Sequence, residues 1–225
     1  MSVNTAVAGV PSLPTLDTGV TLLDGSARAS GVVHSLVVDH LCIRQGEAVW
    51  VDSHGTARTG DLLNLAPSRR FLDRIDVARG FTAYQHRSLL DALATRVDGE
   101  TALVVVPELD YPYREGDLDA GAADRMLASA LDRLRALADE WDVPVLVTRH
   151  ASGDAVEACA DRVLTVVPTR HGPRFVEDSE GAFETLVYRD GRTVQTTIAF
   201  WAGVLAERQQ AREALRQEVL ARGAN

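Results

Sequence analysis

The sequence predicts an α/β protein: a mostly parallel sheet flanked by helices, with a C-terminal antiparallel hairpin extension and a terminal helix. Three observations carry this. Apolar, β-branched runs alternate with helical patterns through the first two thirds of the chain. The run Thr101-Ala102-Leu103-Val104-Val105-Val106 is almost continuously apolar, as expected of a strand covered on both faces. Beyond residue 161, strand-like runs succeed one another across tight turns, including Asp190-Gly191, a hairpin signal.

Taken in order, residues 1–18 hold Pro11 and Pro14 and no periodicity, and read as a flexible arm before a core domain at 19–198. A strand at 20–24 leads through a Gly/Ser-rich turn into a helical pattern near 32–44. A strand at 47–52 is followed by a helix near 60–66. A strand near 74–78 precedes a helix at about 84–97. The strand at 101–106 is followed by a long helix at about 120–141. Leu127, Leu131, Leu134, Leu137, Ala138 and Trp141 share one face of that helix. A strand at 143–148 completes the alternation, which requires crossover helices and a parallel sheet. Strands are then expected near 162–168, 173–177, 184–189 and 192–198. A last helix at about 199–221, within a terminal segment 199–225, is apolar first (Phe200, Trp201, Val204, Leu205) and charged later.

The composition excludes some chemistry. All 23 basic residues among 225 are arginine, so there is no P-loop lysine, Schiff-base amine or lysine general base. Against them stand 32 carboxylates, giving a net charge of −9, which disfavours nonspecific DNA binding. At 46% hydrophobic and 24% charged residues, the chain can bury a core. It has no apolar run long enough to span a membrane and no signal-peptide pattern, so a cytoplasmic location is expected. Cys42 and Cys159 read as buried free thiols. An acidic, lysine-free chain suits a high-salt or high-GC source.

Several segments, in order, carry a resemblance. Asp52-Ser53-His54-Gly55-Thr56-Ala57-Arg58 is similar to the pattern D-T-E-G-T-F-R, and Arg74-Ile75-Asp76-Val77-Ala78-Arg79-Gly80-Phe81 to N-I-x-V-A-R-A-F. Val145-Leu146-Val147-Thr148 matches a V-V-V-T strand, Leu103 to Val106 stands where a Walker B strand belongs, and Arg162 to Arg174 is similar to a late R-x-x-L…R-x-G-x-R hairpin. These segments and their order resemble the RecA/RadA recombinase ATPase core, over about 20–198. The resemblance implies a RecA-like fold and a haloarchaeal RadA-like paralogue.

Against that family's pattern, the chemical positions are altered. The P-loop is G-x-x-x-x-G-K-[ST], whose amides and lysine hold phosphates while the hydroxyl ligates magnesium. The matching stretch is Gly25-Ser26-Ala27-Arg28-Ala29-Ser30-Gly31-Val32-Val33, one residue too long between glycines, with Val32 and Val33 in the Lys and Ser/Thr places. Pro107 replaces the Walker B aspartate, His54 the water-activating glutamate, and Arg149-His150 the sensor-like Asn-Gln. Asp52 and Glu108 complete the remnant of the nucleotide site. The implied function is a non-catalytic pseudo-ATPase. It would act as an accessory or regulatory protein in DNA recombination or repair, through contacts with a RadA-type recombinase or with itself. The alternatives are an ATP-binding or DNA-dependent ATPase with noncanonical ligands, and a structural scaffold unrelated to DNA. No cofactor is expected, beyond weak binding of ATP or another nucleotide without hydrolysis at the Gly25–Gly31 turn, helped by Arg28.

The family's DNA-contacting loops are also acidic here. The first, at about 107–120, has Glu108, Asp110, Glu115, Asp117 and Asp119 against Arg114, a net charge of −4. Its Tyr111 and Tyr113 read as packing under their own loop, with stacking on bases as the alternative. The second, at 149–161, holds Asp154, Glu157 and Asp161. Direct DNA binding is therefore not expected.

Asp24, Asp52, His54, Glu108, Asp110 and His150 all fall at carboxyl ends of expected parallel strands, where ligands bind in open α/β sheets. The simplest reading is an exposed, solvated polar remnant with no metal. A metal site or an acid/base pair is the alternative. His34 and His40 read as helix-surface or half-buried residues, and His86 and His171 carry no assignment. The charged half of the last helix reads as a solvated face, with partner docking as the alternative.

Overall fold

A computed structural model describes residues 13–25, 31–169, 172–177, 184–186 and 197–223. The elements are β1 (Gly19–Gly25), α1 (Val32–Ile43), β2 (Glu47–Asp52), α2 (Thr59–Leu65), β3 (Ile75–Arg79), α3 (Ala83–Arg96), β4 (Thr101–Val106), α4 (Tyr111–Arg114), α5 (Ala120–Trp141), β5 (Pro144–Val147), α6 (Asp154–Cys159), β6 (Arg162–Thr169), β7 (Gly172–Glu177), β8 (Glu184–Leu186) and α7 (Thr197–Gly223). A 3-10 helix at Arg69–Arg74 precedes β3.

The strands form one sheet in the order β3-β2-β4-β5-β1-β6-β7-β8. The pairings from β3 through β6 are parallel, and β6-β7 and β7-β8 are antiparallel. This is the expected parallel sheet with a C-terminal antiparallel extension. Alternate residues of each central strand enter opposite apolar layers. Leu103 and Val105 of β4 join Ala48 and Trp50 of β2 on the face covered by α1, α2 and α7. Val104 and Val106 join Val49 and Val51 on the face covered by α3 and α5. Both faces are apolar because both are covered, which explains the unbroken Leu-Val-Val-Val run.

Local signals set several boundaries. The Asp119 carboxylate accepts from the Ala122 N–H (3.0 Å) at the start of α5. The helix ends at Asp142, whose φ of 50° is left-handed and turns the chain into β5. Thr82 caps α3 by accepting from Gln85 N–H at 3.2 Å. Gly46 has φ 113°, and an added Cβ would lie 2.3 Å from the Glu100 carbonyl oxygen, so the entry to β2 requires glycine.

Some expectations need correction. The arm does not extend to residue 18 as a free segment: Leu13 (1% exposed) and Leu16 (4%) belong to the core. Residues 1–12 lie outside the described residues. Residues 197–198 are helical, not strand, because α7 begins at Thr197. The remainder of the expected strand at 192–198, the end of that at 184–189, the Asp190-Gly191 turn and His171 lie outside the described residues. Trp141 is 39% exposed at the end of α5, past the point where the helix faces the sheet. His34 and His40 are buried because α1 is enclosed by the sheet, α2 and α7. The His40 Nε2 pairs with the Ala102 carbonyl at 2.9 Å, and burial pushes both imidazoles below their ordinary pKa. Cys42 is partly buried and Cys159 buried, both are free thiols, and burial pushes both pKa values up. Among the described residues, no helix is long and apolar enough to cross a membrane.

Candidate functional site

The carboxyl ends of β2, β4 and β5, neighbours in the sheet, bring His54, Glu108 and His150 together. Their potential ligand atoms lie within 4.8 Å of one another. His54 Nδ1 contacts Glu108 Oε2 directly. His150 Nδ1 lies 3.8 Å from that same carboxylate oxygen. His150 Nε2, on the other side of the ring, faces Glu115 Oε1 at 3.9 Å.

Aromatic contacts fix the rings. His54 stacks on Tyr111 with centroids 3.8 Å apart and planes 8° from parallel. His150 meets Tyr111 edge-on at 4.9 Å. Backbone contacts fix the loops. Glu108 sits at φ 49°, a left-handed conformation uncommon outside glycine. Its N–H donates to Thr148 Oγ1 at 2.8 Å, and Leu109 N–H donates to the Thr148 carbonyl at 3.0 Å. The Asp110 carboxylate accepts from the backbone N–H groups of His150 and of Ala151. The β4 and β5 ends are thus stitched together beneath the His–Glu–His cluster.

The remaining expected site residues fall into separate places. Asp52 is fully buried and accepts from Thr56 N–H (2.9 Å), Thr56 Oγ1 (2.9 Å), Ala57 N–H (3.3 Å) and Arg79 Nε (2.9 Å). Burial opposes its ionisation, but these donors outweigh burial and hold its pKa below the usual carboxylate value. It organises the turn after β2. Arg149 donates to Asp24 (Nε 3.0 Å), to the Gly153 carbonyl (2.8 Å) and to Glu157 (3.0 Å), joining the end of β1 to α6. Gly25 and Gly31 have φ 74° and 103°, and Gly31 is the N-cap of α1. Val32 (1% exposed) and Val33 (9%) are core residues. Pro107 is buried between β4 and Glu108. Ser26, Arg28 and Ser30 lie outside the described residues.

The six polar residues at the strand ends are thus not a uniformly exposed remnant. Asp52 is 0% exposed, Asp110 2% and Glu108 9%. The turns that leave parallel strands carry unpaired N–H groups, and the buried carboxylates of Asp52 and Asp110 satisfy several of them. Tyr113 is buried, and its hydroxyl pairs with His86 Nδ1 at 2.9 Å. Sequence reading gave His86 no assignment because its partner lies 27 positions away, on a loop helix that spacing alone does not reveal. In the sequence Glu115 is distinguishable only as one of the acidic charges of its loop. Its approach to His150 depends on the short helix α4, which follows no long apolar pattern.

An eight-stranded, mostly parallel sheet with helices on both faces and an antiparallel end is a RecA-like architecture. The family model for Rad51 matches residues 27–167, more than half of the chain. The chain belongs to the Rad51 family, among the RecA-like proteins related to recombination and repair. Comparison with curated proteins gives no match.

Proposed function

We propose that this Rad51-family protein does not hydrolyse ATP. It acts as an accessory or regulatory protein in recombination or repair, through contacts with a RadA-type recombinase or with further copies of itself. One observation carries the reading. Val32 and Val33, at the positions the resemblance assigns to the phosphate-binding lysine and the magnesium-ligating hydroxyl, are core residues at the start of α1. These side chains do not fit a magnesium–nucleotide complex. They offer neither a cation for the phosphates nor an oxygen for the metal.

The surroundings support the same reading. Pro107 ends β4 without a carboxylate. His54 is engaged by Glu108 and Tyr111. Arg149 is held by Asp24 and Glu157. The acidic loop after β4 repels phosphates, so direct DNA contact is not part of the proposed role. We place the protein in the cytoplasm of a salt-adapted, haloarchaeal cell on its acidic, lysine-free composition.

Two measurements on the purified chain at high salt test the proposal: a thermal melt with and without Mg-ATP, and co-elution with a RadA-type recombinase. The expected results are an unchanged melting temperature and a mixed complex. A nucleotide held at a hundredfold excess over its Kd would add about 2.7 kcal/mol of stability. Such a gain without turnover would make the protein a nucleotide-binding regulator. Failure to co-elute, with the chain monomeric, would contradict the accessory role.

A further inference from the structure

The geometry points to His54, Glu108 and His150 as a binding site for one divalent transition-metal ion of the Zn2+ class. This inference does not depend on the proposed function. It concerns ligands on three strand ends and needs neither nucleotide nor partner.

The donor set is two imidazoles and one carboxylate, with one ligand atom from each residue within 4.8 Å of the others. Such a set favours Zn2+ and its first-row neighbours over Mg2+ or Ca2+, which prefer oxygen ligands alone. Each ligand leaves a different strand of the consecutive trio β2-β4-β5, so the sheet itself fixes their spacing.

Two features of the His150 ring point to a cation there. His150 Nδ1 is buried and finds no hydrogen-bond partner among the described residues, while it faces the Glu108 carboxylate. A metal ion between them satisfies that nitrogen. The other nitrogen of the same ring faces Glu115, the orienting carboxylate that metal-bound histidines commonly have behind them. The cluster is also held in place: Glu108, at a left-handed φ of 49°, donates its N–H to Thr148, and Asp110 anchors the His150 backbone.

Three protein ligands leave at least one coordination position unfilled. The His54 side chain is 43% exposed, so solvent reaches that side of the cluster. Water or an anionic oxygen from a second molecule is the ligand it would take. Tyr111, flat against His54 and edge-on to His150, covers one side of the cluster.

Titration of the full chain, first dialysed against a chelator, with Co2+ and then Zn2+ tests the site. One equivalent of Co2+ should give visible d–d absorption that Zn2+ abolishes. Glu108→Gln and His150→Asn should remove that signal. Glu115→Gln should weaken affinity by about tenfold, the low end of the effect of losing an orienting partner. Asp117→Asn, an exposed acidic residue of the same loop, should leave affinity unchanged. Far-UV spectra and metal-free melts establish that each variant folds. If the two ligand variants do not fold, Glu115→Gln against Asp117→Asn decides the matter. The inference is overturned if the wild-type chain gives no Co2+ signal. It is also overturned if folded Glu108→Gln and His150→Asn bind as tightly as wild type, or, where those do not fold, if Glu115→Gln does.

Discussion

Asp39, on α1, receives the guanidinium groups of both Arg208 and Arg212 from α7, at 2.8 and 2.6 Å for the closest contacts. The carboxylate is 3% exposed, and the apolar residues Trp201, Val204 and Leu205 of the same helix are buried beside it. The first half of α7 is therefore an integral layer of the fold. Its arginines 208 and 212 are docking residues rather than a solvated face.

Asp39→Ala should destabilise the protein by about 2–3 kcal/mol. A fully buried pair broken on one side costs about 3–5 kcal/mol, and partial exposure of the two arginines lowers this. Urea denaturation measures it. In an Arg208→Gln background, Asp39→Ala should cost less, because one of the two arginines it would strand is already gone and only Arg212 remains.

Asp52 gives an acid-sensitive contribution. Its folded pKa lies below the ordinary 3.8, so its stabilisation is present above that value and is lost as pH falls through the folded value. Asp52→Asn should cost about 2–3 kcal/mol at neutral pH, since it removes charge from several hydrogen bonds at once. The variant's unfolding curve should also change less than wild type below pH 3.8.

His86 acts in a higher window. Burial lowers its pKa from 6.5 to about 4, so the unfolded chain takes up a proton that the folded chain refuses. Stability should therefore fall as pH drops from 6.5 toward about 4, by about 3 kcal/mol for this residue alone, and level off below that. His34 and His40 shift in the same direction and add to the slope. Urea midpoints for wild type and His86→Gln across this range should show a shallower slope in the variant.

The fold was largely legible because its signals are local. The unbroken run of β4 and the apolar face of α5 place both elements with the same bounds in sequence and structure. The short helices α4 and α6 were not legible. Each is too short for an apolar period, and neither follows a strong capping pattern. The site was legible in part. His54, Glu108 and His150 are recognisable as strand-end residues, since any parallel sheet gathers them at one edge. Their convergence was not, because it depends on strand order: β2, β4 and β5 are neighbours only once β1 has moved to the far side of β5. The same limit hid the roles of Asp52 and Arg149. Sequence places both in the remnant of a nucleotide site, whereas their partners, Arg79 and Asp24, are supplied by distant segments.

The proposed role requires that this Rad51-family fold turn over no ATP. Steady-state phosphate release from Mg-ATP by the purified chain at high salt, with and without single-stranded DNA, tests it most directly. Release should stay at the background rate of buffer alone, unchanged by DNA. Magnesium-dependent release that scales with protein concentration, and that is lost in a Gly31→Asp variant shown to fold, would contradict it.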